Sequence, residues 1–222
     1  MLEKYQQEFA DFLVKSNALK FGDFTLKSGR KAPYFINTGS FDSGKSLAKL
    51  GSFYAAHLQS LNVECDTIFG PAYKGIPLCV STASALALNY NREVGVTFDR
   101  KEVKDHGDGG LLVGRKIKDG DKVVIVDDVI TAGTTFRQMV PMLKDIANVD
   151  ITAVIVAVDR CEKGTGELSA VQELQKDLGL NFHPILNIHQ LVEYLSADNT
   201  SGLKLSEEQL GKIKEYLSVY GA

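Results

Sequence analysis

Leu2, Tyr5, Phe9, Phe12 and Leu13 recur at helical spacing, which predicts an amphipathic helix at the amino end. Short strands follow over residues 24–26 and 34–37, on either side of the turn Ser28-Gly29-Arg30. Residues 46–61 carry a helical pattern, and 67–69 read as a short buried strand that stops at Gly70-Pro71. Pro77 suits the first turn of a helix over 78–89, whose many Ala and Ser residues favour close packing. Residues 94–98 alternate like a strand, while 123–126, 151–158 and 184–188 are apolar and β-branched, with helical stretches between them. Ser206 with Gln209 three residues on is a capping box ahead of Leu210, Ile213 and Leu217. This βαβα rhythm predicts an α/β fold: a central, mostly parallel sheet flanked by helices. No internal repeat or linker interrupts it, so residues 1–222 are expected to form one domain.

The strand at 123–126 says most about chemistry. It ends on two adjacent acids, Asp127 and Asp128, and runs through Val129, Ile130, Thr131, Ala132, Gly133, Thr134 and Thr135 into a helical pattern over 136–147. In open α/β sheets ligands bind beyond the carboxyl ends of the strands. A Thr/Gly turn opening onto a helix offers hydroxyls and backbone N–H groups to a phosphate. The two acids would repel that anion, so they suit sugar hydroxyls. A ligand with both ribose and phosphate fits the division. An ordinary strand–turn–helix with surface acids is the alternative.

Composition narrows the field. The chain has 222 residues, 44% hydrophobic and 24% charged, with net charge −3, as in an ordinary globular protein without a nucleic-acid footprint. Anion binding must therefore rest on a few local cations. Cys65, Cys79 and Cys161 have no metal-type spacing and are odd in number, which favours a reducing cytoplasm. No apolar signal core opens the chain, and no run approaches the roughly 20 residues that span a membrane. Residues 39–46 match the phosphate-loop pattern G-x4-G-K-[ST], with 123–127 available as its acid-bearing strand. Against a nucleotide hydrolase stand Asp42 and Phe41 inside the would-be cradle, and Pro33 in the preceding segment, a poor fit to a central strand. Lys45 is then a solvated cation at a helix start.

Three more segments are unusually polar: Lys27-Ser28-Gly29-Arg30-Lys31 beside Tyr34 and Phe35; Tyr73-Lys74-Gly75 after a strand; and a Gly-rich run with Arg100, Lys101, Lys104 and His106. The last holds four acids against three Arg/Lys between residues 99 and 110, so it is no basic patch; it is expected to be a mobile loop over about 99–114 that closes on a ligand. Singly, each has an ordinary explanation: exposed turn cations at Lys27 and Arg30, a solvated turn at Lys74, a surface histidine at His106.

Taken in order, KFGDFTLKSGRKAPYF, FGPAYKGIP, RKEVKDHGDGG, VVIVDDVITAGTT and DRCEKGTGELSA make the chain similar to the orotate phosphoribosyltransferases. One departure is Ile36-Asn37-Thr38 in place of the more usual Phe-Asn, and another is the bulky Phe136 just after the turn, expected to pack the helix. The resemblance implies the type I phosphoribosyltransferase fold, with a small N-terminal hood (mainly 1–40 plus C-terminal elements). It implies transfer of phosphoribose from phosphoribosyl pyrophosphate to orotate with Mg2+, in pyrimidine biosynthesis, by a homodimer whose loop reaches the partner's site. Lys27, Tyr73, Lys74, Arg100, Lys101, Lys104 and His106 would then meet the pyrophosphate, with Lys27 and Lys104 catalytic. Asp127 and Asp128 would hold the ribose hydroxyls, directly or through magnesium and water. Residues Val129, Ile130, Thr131, Ala132, Gly133, Thr134 and Thr135 would take the 5′-phosphate. Phe35, Ile36, Thr131 and Arg160 would bind orotate, Arg160 through its carboxylate. No dedicated metal ligands are expected, because the phosphates bring the magnesium. Neither nucleic acid nor membrane is expected as a partner. A transferase for a purine would not need Arg160 or Lys27 for a carboxylate; a non-catalytic phosphoribosyl pyrophosphate sensor would not need the cationic loop.

Overall fold

The computed structural model describes residues 2–26, 29–104, 110–130, 133–164 and 166–222. The side chains of residues 101–104 lie outside that description. In chain order the elements are α1 (Lys4–Lys15), β1 (Leu19–Thr25), β2 (Lys31–Ile36), α2 (Gly44–Leu61), β3 (Thr67–Gly70), α3 (Gly75–Tyr90), β4 (Gly95–Lys104) and β5 (Gly110–Gly114). They continue with β6 (Lys122–Val129), α4 (Thr134–Ile146), β7 (Asp150–Asp159), α5 (Ala170–Leu178), β8 (Phe182–Asn187), α6 (Ile188–Ser196) and α7 (Glu207–Tyr220).

Six strands form one sheet in the order β5-β4-β3-β6-β7-β8, with β1 and β2 apart as an antiparallel hairpin. All neighbours in the large sheet are parallel except β4 and β5, which pair antiparallel at one edge. Helices cover both faces. Val124 and Val126 of β6 enter one core with Leu50, Phe53 and Tyr54 of α2 and Leu78 and Leu86 of α3. Val123 and Ile125 enter the other with Phe136, Val140 and Leu143 of α4 and Leu174 of α5. The central strand is therefore apolar without a break, because it is buried on both sides. The first core also takes in Ala32, Tyr34 and Ile36 of β2 and Tyr216 of α7, so the hairpin and the last helix are packed onto the sheet rather than hung beside it. At the other edge Pro184 sits in β8, where a strand tolerates a missing N–H.

One expectation needs correction, and another holds. Residues 99–104 continue β4 and 110–114 form β5, so the flanks of the expected loop are strand; residues 105–109 lie outside the described residues. The segment before the phosphate-loop match is β2 of the two-stranded hairpin, not a strand of the parallel sheet. There Ser43 caps α2, its hydroxyl accepting the Ser46 N–H, while the Ser46 hydroxyl bonds back to Ser43. Lys45 is exposed, as expected of a helix-start cation. Phe136 is buried, its ring 5.3 Å from Phe182 and edge-on to it, as helix packing requires.

Candidate active site

Because β3, β6 and β7 run parallel, their carboxyl ends open on the same edge of the sheet, and each delivers a charged residue there. After β3 the chain turns through Pro71, Ala72, Tyr73 and Lys74 into α3. Gly70 and Gly75 let this turn fold back on itself: a Cβ on Gly70 would lie 2.1 Å from the Gly75 carbonyl oxygen. The Asp99 carboxylate on neighbouring β4 accepts the Ala72 N–H at 2.6 Å and fixes the turn. Lys74 Nζ then reaches Asp128 Oδ2 at 2.6 Å.

Asp128 itself is 7% exposed. Its Oδ1 accepts the Val129 N–H at 2.7 Å, and its Oδ2 also accepts the Thr38 hydroxyl at 2.5 Å. Asp127 accepts the Asp128 N–H at 2.9 Å. The buried Tyr54 hydroxyl donates to the Asp127 carbonyl at 2.8 Å, tying α2 to the end of β6. Burial first, and then the neighbouring Asp128 charge, push the Asp127 carboxyl up to about 7. Two carboxylates crowd one strand end, and the described lysine answers only one of them directly.

Beyond β6, Gly133 caps α4 at φ +71°, a conformation that favours glycine, with Leu174 so close that a Cβ would fall 2.8 Å from it. Exposed Thr134 and Thr135 open the helix, where first-turn N–H groups have no intrahelical partner. Thr131 and Ala132 lie outside the described residues, as do Lys27 and His106. The Val129 N–H, expected to face a phosphate, donates here to Asp128 Oδ1. Ile130 is buried in the second core, leaving only its backbone for a ligand.

Arg160 follows β7 directly. Its guanidinium lies 4.6 Å over the Tyr34 ring and bonds Glu162 through Nη2. Glu162 also accepts the Tyr34 hydroxyl at 2.8 Å and has Arg30 at 3.8 Å. The three charged groups sum to one positive charge in excess, beside the strand ends. Tyr34 and Phe35 alternate along β2: Tyr34 is fully buried under Arg160, whereas Phe35 stacks on Phe24 at 5.5 Å. Ile36 is buried in the core. Consecutive strand residues thus face opposite ways, Tyr34 toward Arg160 and Phe35 toward Phe24. Arg100 lies on β4, and Tyr73 is two-thirds exposed on the turn. Nothing local in the sequence pointed to Thr38, Tyr54, Asp99 or Glu162; their partners lie far along the chain.

Residues 40–176, more than half the chain, match the family described as the phosphoribosyl transferase domain. The chain is 49% identical over 231 residues to an orotate phosphoribosyltransferase of Bifidobacterium longum, covering all of both. It is 46% identical to one of Clostridium acetobutylicum, covering 99% of each. The chain belongs to the orotate phosphoribosyltransferases. A crystal structure of such an enzyme from Francisella tularensis superposes with a TM-score of 0.86 at 39% identity, over 97% of this chain and 100% of that one. This α/β sheet is thus the type I phosphoribosyltransferase fold that the sequence implied.

Proposed function

We propose that the chain transfers phosphoribose from phosphoribosyl pyrophosphate to orotate, giving orotidine 5′-phosphate and pyrophosphate. One observation carries this most directly: Lys74, Asp128 and Arg160 follow or end adjacent strands at one edge of the sheet. That edge supplies a cation for phosphate, acids for sugar hydroxyls and a planar cation for a carboxylate. As the C1′–O bond breaks, positive charge grows on the ribose and negative charge on the pyrophosphate, so fixed charges lower the barrier. Asp127 and Asp128 hold the ribose 2′- and 3′-hydroxyls. Lys74 turns from Asp128 to the pyrophosphate. Thr134 and Thr135, at the start of α4, take the 5′-phosphate with residues 130–133. The excess positive charge at Arg160 receives the orotate carboxylate, a pairing that suits a guanidinium fork and that a purine would leave unused.

Lys27, Arg100, Lys101, Lys104, His106 and Tyr73 face the pyrophosphate in this proposal, the end of β4 and the residues that follow it arriving from a second copy of the chain. Val80 and Leu88 support such a homodimer, since both stand exposed on α3, Leu88 at 85%. The donor set also suits magnesium. Asp127 and Asp128, hard oxygen donors that crowd each other, would hold it directly or through water, and the cation would relieve their repulsion. Among the described residues no group of three His, Cys, Asp or Glu could cage a metal. When bound, magnesium neutralises charge on the pyrophosphate, while Asp127 and Asp128 keep the sugar in place. In this reading the protein works in the cytosol, which suits the free thiols of Cys65, Cys79 and Cys161. Orotate loss followed by absorbance, dependent on both phosphoribosyl pyrophosphate and Mg2+, tests the assignment; no loss with both present refutes it.

A further inference from the structure

Thr38 does something for Asp128 that the transfer chemistry does not by itself demand. It opens a single 3-10 turn, Thr38–Ser40, immediately after β2. Its backbone is fixed on both sides: the Asn37 side chain accepts the Gly39 N–H at 3.1 Å, and the Asn37 N–H donates to the Ala18 carbonyl at 2.7 Å. A β-branched side chain is stiff at χ1, so on this backbone the hydroxyl has few alternative positions. The Thr38 hydroxyl donates to Asp128 Oδ2 at 2.5 Å, and Lys74 Nζ stands 3.4 Å from the same hydroxyl and 2.6 Å from the same Oδ2. Thus Asp128 Oδ2 has two donors, one rigid and one on a four-carbon stem whose side chain is 62% exposed.

We propose that Thr38 is a positioning residue for the sugar half of the site: its hydroxyl keeps the Asp128 carboxylate aimed at the ribose hydroxyls when Lys74 leaves for the phosphates. This rests on the transferase assignment only in naming the sugar phosphate. A buried carboxylate abandoned by its lysine must keep another donor or move. With Lys74 gone, the Val129 N–H still holds Oδ1 and Thr38 is the donor that remains on Oδ2; it lies on the segment that carries Tyr34. The ring beneath Arg160 and the hydroxyl on Asp128 are therefore four residues apart on one piece of chain, which links the base side of the site to the sugar side.

Thr38→Val keeps the shape and removes the hydroxyl; Thr38→Ser keeps the hydroxyl. Ribose 5-phosphate and inorganic phosphate are the probes, titrated by calorimetry with Mg2+ present. Thr38→Val is expected to weaken ribose 5-phosphate binding about tenfold, the loss of one charge-assisted hydrogen bond, and to raise KM for phosphoribosyl pyrophosphate likewise. Inorganic phosphate binding and KM for orotate stay as in the parent, and Thr38→Ser restores the sugar phosphate. Parental binding of ribose 5-phosphate by Thr38→Val overturns the proposal, and so does an equal loss for both probes, which marks a merely structural turn. If Thr38→Val does not fold, Thr38→Ala is expected to give the same pattern. Absence of orotate turnover in the parent would sink the transferase assignment while leaving this comparison intact.

Discussion

Asp127→Asn is expected to make the protein more stable and less active, with the gain in stability dependent on pH. Burial and the Asp128 charge raise the folded carboxyl to about 7, against roughly 3.9 in an unfolded chain. A raised carboxyl favours the protonated form. Its contribution to stability is therefore whole below about pH 4, declines as pH rises through the folded value, and is flat above it. Three units correspond to a ceiling of about 4 kcal/mol at pH 8, of which roughly 1–2 kcal/mol has already developed at pH 5. Asparagine removes the charge and keeps an oxygen for the Asp128 N–H. The variant should then exceed the parent by about 2–4 kcal/mol at pH 8 and by clearly less at pH 5, where the acid is still mostly protonated. For a chain of this size each kcal/mol moves Tm by about 2–4 °C. Thermal melts of both proteins across pH 5 to 8 read the difference, and an orotate assay reads the price in turnover, expected at about 100-fold or more because a neutral amide cannot match developing positive charge. An equal offset at both pH values, or a lower Tm for the variant at pH 8, refutes the account of strain stored at this strand end.

Gly133→Ala places a methyl 2.8 Å from Leu174 at a φ of +71°, so melting should show a loss of about 1–3 kcal/mol, with weaker inorganic phosphate binding as the helix start shifts; an unchanged Tm contradicts the cap geometry. Lys104→Ala should lower kcat by about 100-fold or more with the melt unmoved, and normal turnover would remove the end of β4 from the chemistry. Leu88→Glu, on the exposed face of α3, is expected to give monomers by light scattering and to depress turnover if sites are completed across the interface. A dimer that persists with full activity moves that interface elsewhere.

What could be read in advance was what the chain states locally. The β6 strand announces itself because burial on both faces demands unbroken apolar residues, and the Gly/Thr turn with its helix follows from caps and φ preferences. Where an element has no such reason to display a pattern, its limits were missed. The extension of β4 through residues 99–104 is charged throughout, with only Val103 apolar, since it pairs with just the edge strand β5. The start of α3 lies at Gly75 rather than Leu78 because its cap, Lys74, makes no side-chain capping bond that a sequence could advertise. β1 runs from Leu19, but its register shifts between Phe21 and Phe24, and that irregularity breaks the alternation by which strands are found.

The site itself was legible as a set of positions and illegible as a set of contacts, for a reason that lies in strand geometry. Residues adjacent in sequence invite being read as partners: Tyr34 with Phe35, Asp127 with Asp128. A pleat sends neighbours to opposite faces. Tyr34 consequently finds Arg160 and Glu162 more than 120 positions away, while Phe35 finds Phe24. Asp128, on the side of Val124 and Val126, finds Thr38 and Lys74, both from segments that pack against that face. Asp127, on the alternate position, meets neither in a hydrogen bond, and burial and the Asp128 charge raise its carboxyl. Two acids that look equivalent in the sequence are thus placed unequally: Asp128 accepts from three donors, while burial and its neighbour's charge hold the Asp127 carboxyl high.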